Sequence, residues 1–171
     1  SLRWKQPGPT GQSDKPELKS RYYAPADCSP VVLADRLVVC DRGYWLGSYD
    51  LATGKYLGSI ATDVAAIGPD VSGCGFYARG LAQGLTRYNE DAKVVWANTS
   101  VVTGRFPVPP SPVGDKVLIC SNQGELSCCR AVDGKVLLRY QVTPQLRVMA
   151  PVAVNKAEAA YVAAMDGVIT R

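Results

Sequence analysis

Apolar residues recur along this chain in short bursts broken by Gly, Pro, Asp and Asn, and no long stretch follows a helical period. The runs Leu37-Val38-Val39-Cys40, Phe76-Tyr77-Ala78, Val117-Leu118-Ile119-Cys120 and Ala160-Tyr161-Val162-Ala163 read as buried strands bounded by turns. Each follows a similar opening: Ser29-Pro30-Val31, Gly68-Pro69, Ser111-Pro112-Val113 and Ala150-Pro151-Val152. The prolines of these openings are 39, 43 and 39 residues apart. A glycine turn comes after each run, at Asp41-Arg42-Gly43, Gln83-Gly84, Asn122-Gln123-Gly124 and Asp166-Gly167. Another strand leads to a polar turn at Asp50–Lys55, Asn89–Lys93 and Val132–Lys135, where Asp and Asn bond their own backbone and Gly accepts a positive φ. A last strand closes the unit at Tyr56-Leu57, Val94-Val95-Trp96 and Val136-Leu137-Leu138. The weakly helical stretch Asn155–Ala160 reads as a hairpin turn running into a strand.

Four short strands joined by tight turns, repeating every forty residues or so, describe a propeller blade. The expected fold is all-β: a β-propeller of about four blades with four antiparallel strands each, either a partial propeller or half of an eight-bladed ring. Blades are expected at 29–60, 68–100, 111–142 and 150–171, the last incomplete. Residues 1–5 read as an orphan outer strand and 6–28 as a long loop. Arg171 falls inside what should be a third strand, and a strand like Leu2-Arg3-Trp4-Lys5 would complete that blade. Three arrangements follow: a segment of a longer parent, two copies exchanging the first strand to close a ring, or a small closed ring of four.

The turn Asp50-x-x-Thr53-Gly54-Lys55 with the apolar strand after it resembles the repeat of the quinoprotein dehydrogenase-like propellers. That family includes pyrroloquinoline-quinone dehydrogenases and a propeller lipoprotein that helps assemble outer-membrane β-barrels. It usually places Trp just after the Gly-Lys turn. Trp96 fits, and Trp4 fits if residues 1–4 form such a strand, whereas Gly58 and Leu138 depart from the pattern. The repeat signature is carried by Trp4, Asp50, Thr53, Gly54, Trp96, Gly124, Asp133, Gly134 and Gly167. The resemblance implies an extracytoplasmic setting, periplasmic or secreted. No Gly-His or Trp-Asp pair marks a WD-type propeller.

Composition narrows the chemistry. With 47% apolar and 20% charged residues the chain is that of a folded globular protein, not a disordered one. A net charge of +4 lacks the clustered basic footprint of a nucleic-acid binder. No eighteen-residue apolar stretch offers a membrane-spanning helix. Histidine is absent, which removes the commonest general base, the usual zinc ligand and every Ser-His or Cys-His nucleophile pair. P-loop, dinucleotide and nucleophile-elbow motifs are also missing. The expectation is a protein that is not an enzyme.

In propellers of this type, loops that link one blade's outer strand to the next blade's inner strand gather on one face. Here they span Gln6–Cys28, Ala61–Ile67, Ala97–Pro110 and Gln141–Met149. Arg21, Tyr22, Tyr23, Arg105, Phe106 and Arg147 would make that face basic and aromatic, suited to an acidic group or an extended peptide. Glu125, Asp63, Asp70 and Asp27 read as surface turn carboxylates.

Adjacent cysteines can close a strained disulfide ring beside the quinone in some quinoprotein dehydrogenases, and Cys128-Cys129 offers such a pair. Strand alternation instead sends one thiol to each face of the sheet. Cys40 and Cys120 hold equivalent places and read as core filling, while Cys28 and Cys74 lie near first strands of neighbouring blades, where a disulfide would mark an oxidising compartment. The leading expectation is a non-catalytic binding or scaffold segment for a protein or peptide, without cofactor or metal. The alternatives are a segment of a quinone- and calcium-dependent dehydrogenase, and a half-ring that pairs with its own copy.

Overall fold

The structure is a computed structural model, described here for residues 29–41, 45–80, 84–101, 108–121, 123–141, 148, 150–155, 159–164 and 167–171. Its strands fall into four antiparallel sheets in chain order. The first holds β1 (Val31–Val32), β2 (Arg36–Asp41), β3 (Trp45–Asp50) and β4 (Tyr56–Thr62). The second holds β5 (Val64–Pro69), β6 (Gly75–Gly80), β7 (Leu85–Asn89) and β8 (Val94–Asn98). The third holds β9 (Ser111–Val113), β10 (Lys116–Cys120), β11 (Glu125–Arg130) and β12 (Val136–Gln141). The fourth has three described strands, β13 (Ala153–Val154), β14 (Ala160–Ala163) and β15 (Ile169–Thr170). The chain is therefore all-β, built of successive meander sheets of the propeller kind.

Side-chain alternation along the strands makes each sheet two-faced, and the faces meet in three cores. Val38, Cys40 and Leu46 of the first sheet pack with Val64, Ala66, Phe76 and Tyr88 of the second. Tyr77 and Leu85 turn the other way, onto Val117, Ile119 and Cys129 of the third. Cys120 of the third sheet meets Val148, Val152 and Val162 of the fourth. Phe76 and Tyr88 stack at 4.8 Å between centroids, 5° from parallel. Burying a side chain such as Phe76 or Leu46 stabilises the fold by roughly 1.5–3 kcal/mol.

The polar turns repeat as their residues dictate. Asp50 Oδ1 accepts from the Thr53 amide at 2.7 Å and from its hydroxyl at 2.6 Å, and the Gly54 amide donates to Asp50 O at 2.8 Å. In the third sheet Arg130 stands in place of Asp50, and its guanidinium pairs with Asp133 at 2.8 Å across the same turn. Gly54 and Gly134 both sit at φ +72, and Ala92 takes φ +59 at the same place in the second sheet. Gly124 and Gly167 both close their glycine turns at φ +83. The third-to-fourth strand pairing slips at one recurring place, between Ser48/Tyr49, Arg87/Tyr88 and Cys128/Cys129.

Two features differ from the sequence reading. The stretch Ala61–Ile67 is not a loop: β4 runs to Thr62 and β5 starts at Val64, so Asp63 at φ +66 alone links the first two sheets. The opening prolines are also not one repeated position. Pro69 and Pro112 are equivalent, paired with Phe76 and Val117, but Pro30 precedes β1 and Pro151 lies two residues ahead of β13. The first strand of each sheet is an edge strand, where proline costs no ladder donor at positions whose N–H side faces away from the neighbouring strand.

Candidate functional site

The first strands of the second, third and fourth sheets, with Ser29 and Pro30 just ahead of β1, border one cleft of about 600 Å³. Its walls are Pro30, Pro69, Pro109, Pro110, Pro112 and Pro151, with Ile67, Val113, Val152 and Val154 between them. Ser29 and Ser111 bring hydroxyl groups, and Gly68 completes the lining. At Gly68 a Cβ would lie 2.9 Å from Pro110 O, so the second and third sheets meet there backbone to backbone. Proline offers no N–H, so the cleft is rich in apolar surface and carbonyl acceptors and poor in donors. None of these lining side chains is ionisable. The cleft can hold an apolar or aromatic group and hydrogen-bond a donor, but its described lining has no group to move a proton.

On the outer strands, the seams between sheets carry polar side chains. Trp96 on β8 reaches across the second seam: its Nε1 donates to Ala131 O at 3.0 Å, and its indole covers Gly134. Asn98 Nδ2 donates to Gly134 O at 2.7 Å beside it. Gly58 and Leu138 take the register position of Trp96 in the first and third sheets, opposite Ser48 and Cys128. The first seam thus lacks an indole clamp.

Asp70 is not a surface turn carboxylate as the sequence suggested. Its side chain is 2% exposed and pairs with Arg87 Nη2 at 3.0 Å, while Ser72 Oγ donates to its other oxygen at 2.8 Å. Burial pushes this carboxyl up most strongly, yet the Ser72 and Arg87 hydrogen bonds and the Arg87 charge together hold it below the usual range. The pairing depends on strand register, which brings β7 beside the β5–β6 turn, and no spacing rule in the sequence announces it. Glu125 stands at the head of β11, with its Oε1 buried.

Cys128 and Cys129 are both buried free thiols. Cys129 packs into the second seam with Val117 and Tyr77, and Cys128 lies on the other face, as alternation requires. Burial pushes the Cys129 thiol up to about 11 and raises Cys128 in the same direction. Cys40 and Cys120 are buried at equivalent places, opposite Leu46 and Leu126. Cys74 is an exposed free thiol, and Cys28 lies outside the described residues. Among the described residues no cluster of three or more His, Cys, Asp or Glu could hold a metal ion. Among them, too, no helix is long and apolar enough to cross a membrane.

Of the residues expected on the loop face, Arg21, Tyr22, Tyr23, Arg105, Phe106 and Arg147 lie outside the described residues, as does Trp4. The sequence reading missed a different arginine, Arg79, which is fully buried at the end of β6. A signal for it was available. Aligned by strand, Arg79 takes the place that Cys40 and Cys120 fill in the neighbouring sheets.

No protein-family profile and no curated protein matches the chain. Solved structures do. The computationally designed Ika4 protein is similar at TM-score 0.65 and 12% identity, over 84% of this chain and 90% of that one. The designed Ika8 protein gives 0.65 and 13%, over 82% of this chain and 43% of its own. BamB from Moraxella catarrhalis gives 0.68 and 18%, over 84% of this chain and 44% of its own. At these identities the likeness concerns the fold: the chain is a β-propeller segment. It spans less than half the length of Ika8 and BamB.

Proposed function

We propose that the chain is a non-catalytic segment of a propeller with quinoprotein-like repeats, used to hold a protein or peptide partner outside the cytoplasm. The observation that carries this reading is the cleft: six prolines, aliphatic side chains and two serines, with nothing ionisable among the lining groups. Such a surface favours an extended apolar segment, and its described lining offers no acid or base to activate the two serine hydroxyls. Peptides selected against the folded chain are expected to shift the NMR signals of Ile67, Val113 and Val152, the cleft residues. In the same preparation, pyrroloquinoline quinone with calcium is expected to show neither saturable binding nor dye reduction. Quinone binding that disappears in Cys128→Ser would instead support the dehydrogenase reading and overturn this one.

One observation favours a second reading, that the segment completes a ring with its own copy. Cys40, Arg79 and Cys120 are each buried by the next sheet, whereas Ala163 at the same place in the fourth sheet is exposed, and Ile169 beside it is 68% exposed. Self-association through this face predicts a native mass of two chains, returned to one by Ala163→Glu with Ile169→Glu. A monomer at micromolar concentration would rule it out.

A further inference from the structure

Arg79 carries more than its fold position needs. At this place in the first sheet, Cys40 Sγ donates to Val64 O at 3.2 Å, tying the sheet to the start of the next one. Arg79 Nη1 makes the equivalent bond across the second seam, to Val108 O at 3.0 Å. A small thiol suffices for that tie. The guanidinium adds a charge and further donors, and its Nε and Nη2 are buried with no hydrogen-bond partner among the described residues. Those two nitrogens form one side of the guanidinium fork, whose parallel N–H bonds match the two oxygens of a carboxylate or phosphate.

Among the described residues no ion pair matches the charge either. The described ion pairs join Asp35 to Arg36, Asp70 to Arg87, Asp91 to Lys93, Asp115 to Lys116 and Asp133 to Arg130, and none reaches Arg79. The neighbouring Cys120 thiol is pushed up to about 11 by burial, so at neutral pH it is no counter-ion. Burial draws Arg79 itself down to about 10, which leaves it charged at neutral pH. A buried cation held by one carbonyl is costly unless an anion completes it.

We propose that Arg79 is the receptor for an oxyanion, a carboxylate or phosphate group that docks side-on against its Nε–H and Nη2–H at the seam between the second and third sheets. Arg79 is not itself among the residues that line the proline cleft, although its acceptor Val108 directly precedes the cleft residue Pro109. Because the fork is shielded from solvent, the oxyanion reaches it through local opening of the seam. The resulting ion pair is then desolvated and bidentate.

Thermal unfolding of the whole chain in sodium phosphate, against sodium chloride of equal ionic strength, tests the proposal. A second arm compares a short peptide bearing a free C-terminal carboxylate with its amide. Wild type is expected to gain about 5 °C in Tm at roughly a hundred times Kd. Arg79→Met should lose that gain, and Arg79→Lys, which keeps charge without the fork, should lose most of it. A gain with phosphate alone assigns the site to a free anion, and a gain with the carboxylate peptide but not its amide assigns it to a peptide terminus. Either outcome supports the receptor. In anion-free buffer Arg79→Met is expected to be at least as stable as wild type, because an uncompensated buried charge has gone. Equal anion responses in wild type and Arg79→Met would overturn the proposal, since phosphate also stabilises folds non-specifically. If the variants do not fold, the Arg79 Nε–H resonance of wild type decides: it should move on titration with phosphate or the carboxylate peptide, and a resonance that moves with neither rejects the site.

Discussion

Trp96→Ala is expected to destabilise the chain by about 3 kcal/mol, at the low end of the range for removing a packed tryptophan because the side chain is only partly buried. In a chain of this size that corresponds to a fall in Tm of roughly 6–12 °C. Three losses combine. The indole leaves the second seam, where it packs beside Tyr77 at 5.9 Å between ring centroids. Ala131 O loses the Nε1 donor at 3.0 Å. Gly134 loses its cover. The reciprocal change, Gly134→Ala, should be nearly as damaging for a different reason: a Cβ there would lie 2.5 Å from the Trp96 ring, on a residue at φ +72. In a Trp96→Ala background the three nearest contacts, all with that ring, are gone, leaving chiefly the backbone penalty of roughly 1–2 kcal/mol for a side chain at positive φ. Urea denaturation of both single variants and the double variant therefore should give a sum well short of additive. Additive costs would mean that Trp96 and Gly134 do not form the clamp between the second and third sheets.

The repeat positions of Trp96 and Gly134 were legible from residues alone, but their meeting across the second seam was not. Trp96 follows the Asn89–Lys93 polar turn, and Gly134 sits in the corresponding turn of the next sheet. The strands β2, β6 and β10 were equally plain, since each is an apolar run between turn residues. Inner-strand register was not legible. Proline is tolerated on an edge strand wherever its N–H side faces away from the neighbour, and also ahead of the strand, so Pro30, Pro69, Pro112 and Pro151 mimic one repeated position while occupying several. The single-residue link at Asp63 was hidden by the same ambiguity, because Ala61–Ile67 has no turn residue except that aspartate. Arg79 could have been found by aligning Phe76-Tyr77-Ala78-Arg79 with Leu37-Val38-Val39-Cys40, where a charge replaces a thiol in an otherwise apolar strand. The loop-face residues expected to bind a partner fall outside the described residues and keep their standing as an expectation.

Breaking the Asp70–Arg87 pair should have the largest effect on stability and should change its pH dependence in sign. Asp70 is buried along the backbone of Gly75, where a Cβ would lie 3.0 Å from its Oδ2, so the carboxylate has no room to turn toward water. In wild type its folded pKa lies below the ordinary value. Its contribution is therefore fully present above the unfolded pKa of about 3.9 and is lost as pH falls through the lower folded value. Arg87→Met removes the guanidinium and leaves a buried carboxylate with only Ser72 as a side-chain partner. Losing one member of a buried pair costs about 3–5 kcal/mol at neutral pH. Desolvation then has no charge opposing it, and the folded pKa should rise above the unfolded one. The sign follows: Arg87→Met should lose stability as pH rises from about 4 toward the new folded pKa, the interval over which the wild-type pair is already fully formed. Its deficit relative to wild type should consequently be smaller near pH 3.5 than at pH 7. Asp70→Asn in the same background should recover part of the loss at pH 7, because the amide is neutral and can still accept from Ser72. Urea midpoints of the three variants across this range give the comparison directly. A deficit for Arg87→Met that is independent of pH would show that Arg87 supports the turn by packing alone, without charge pairing to Asp70.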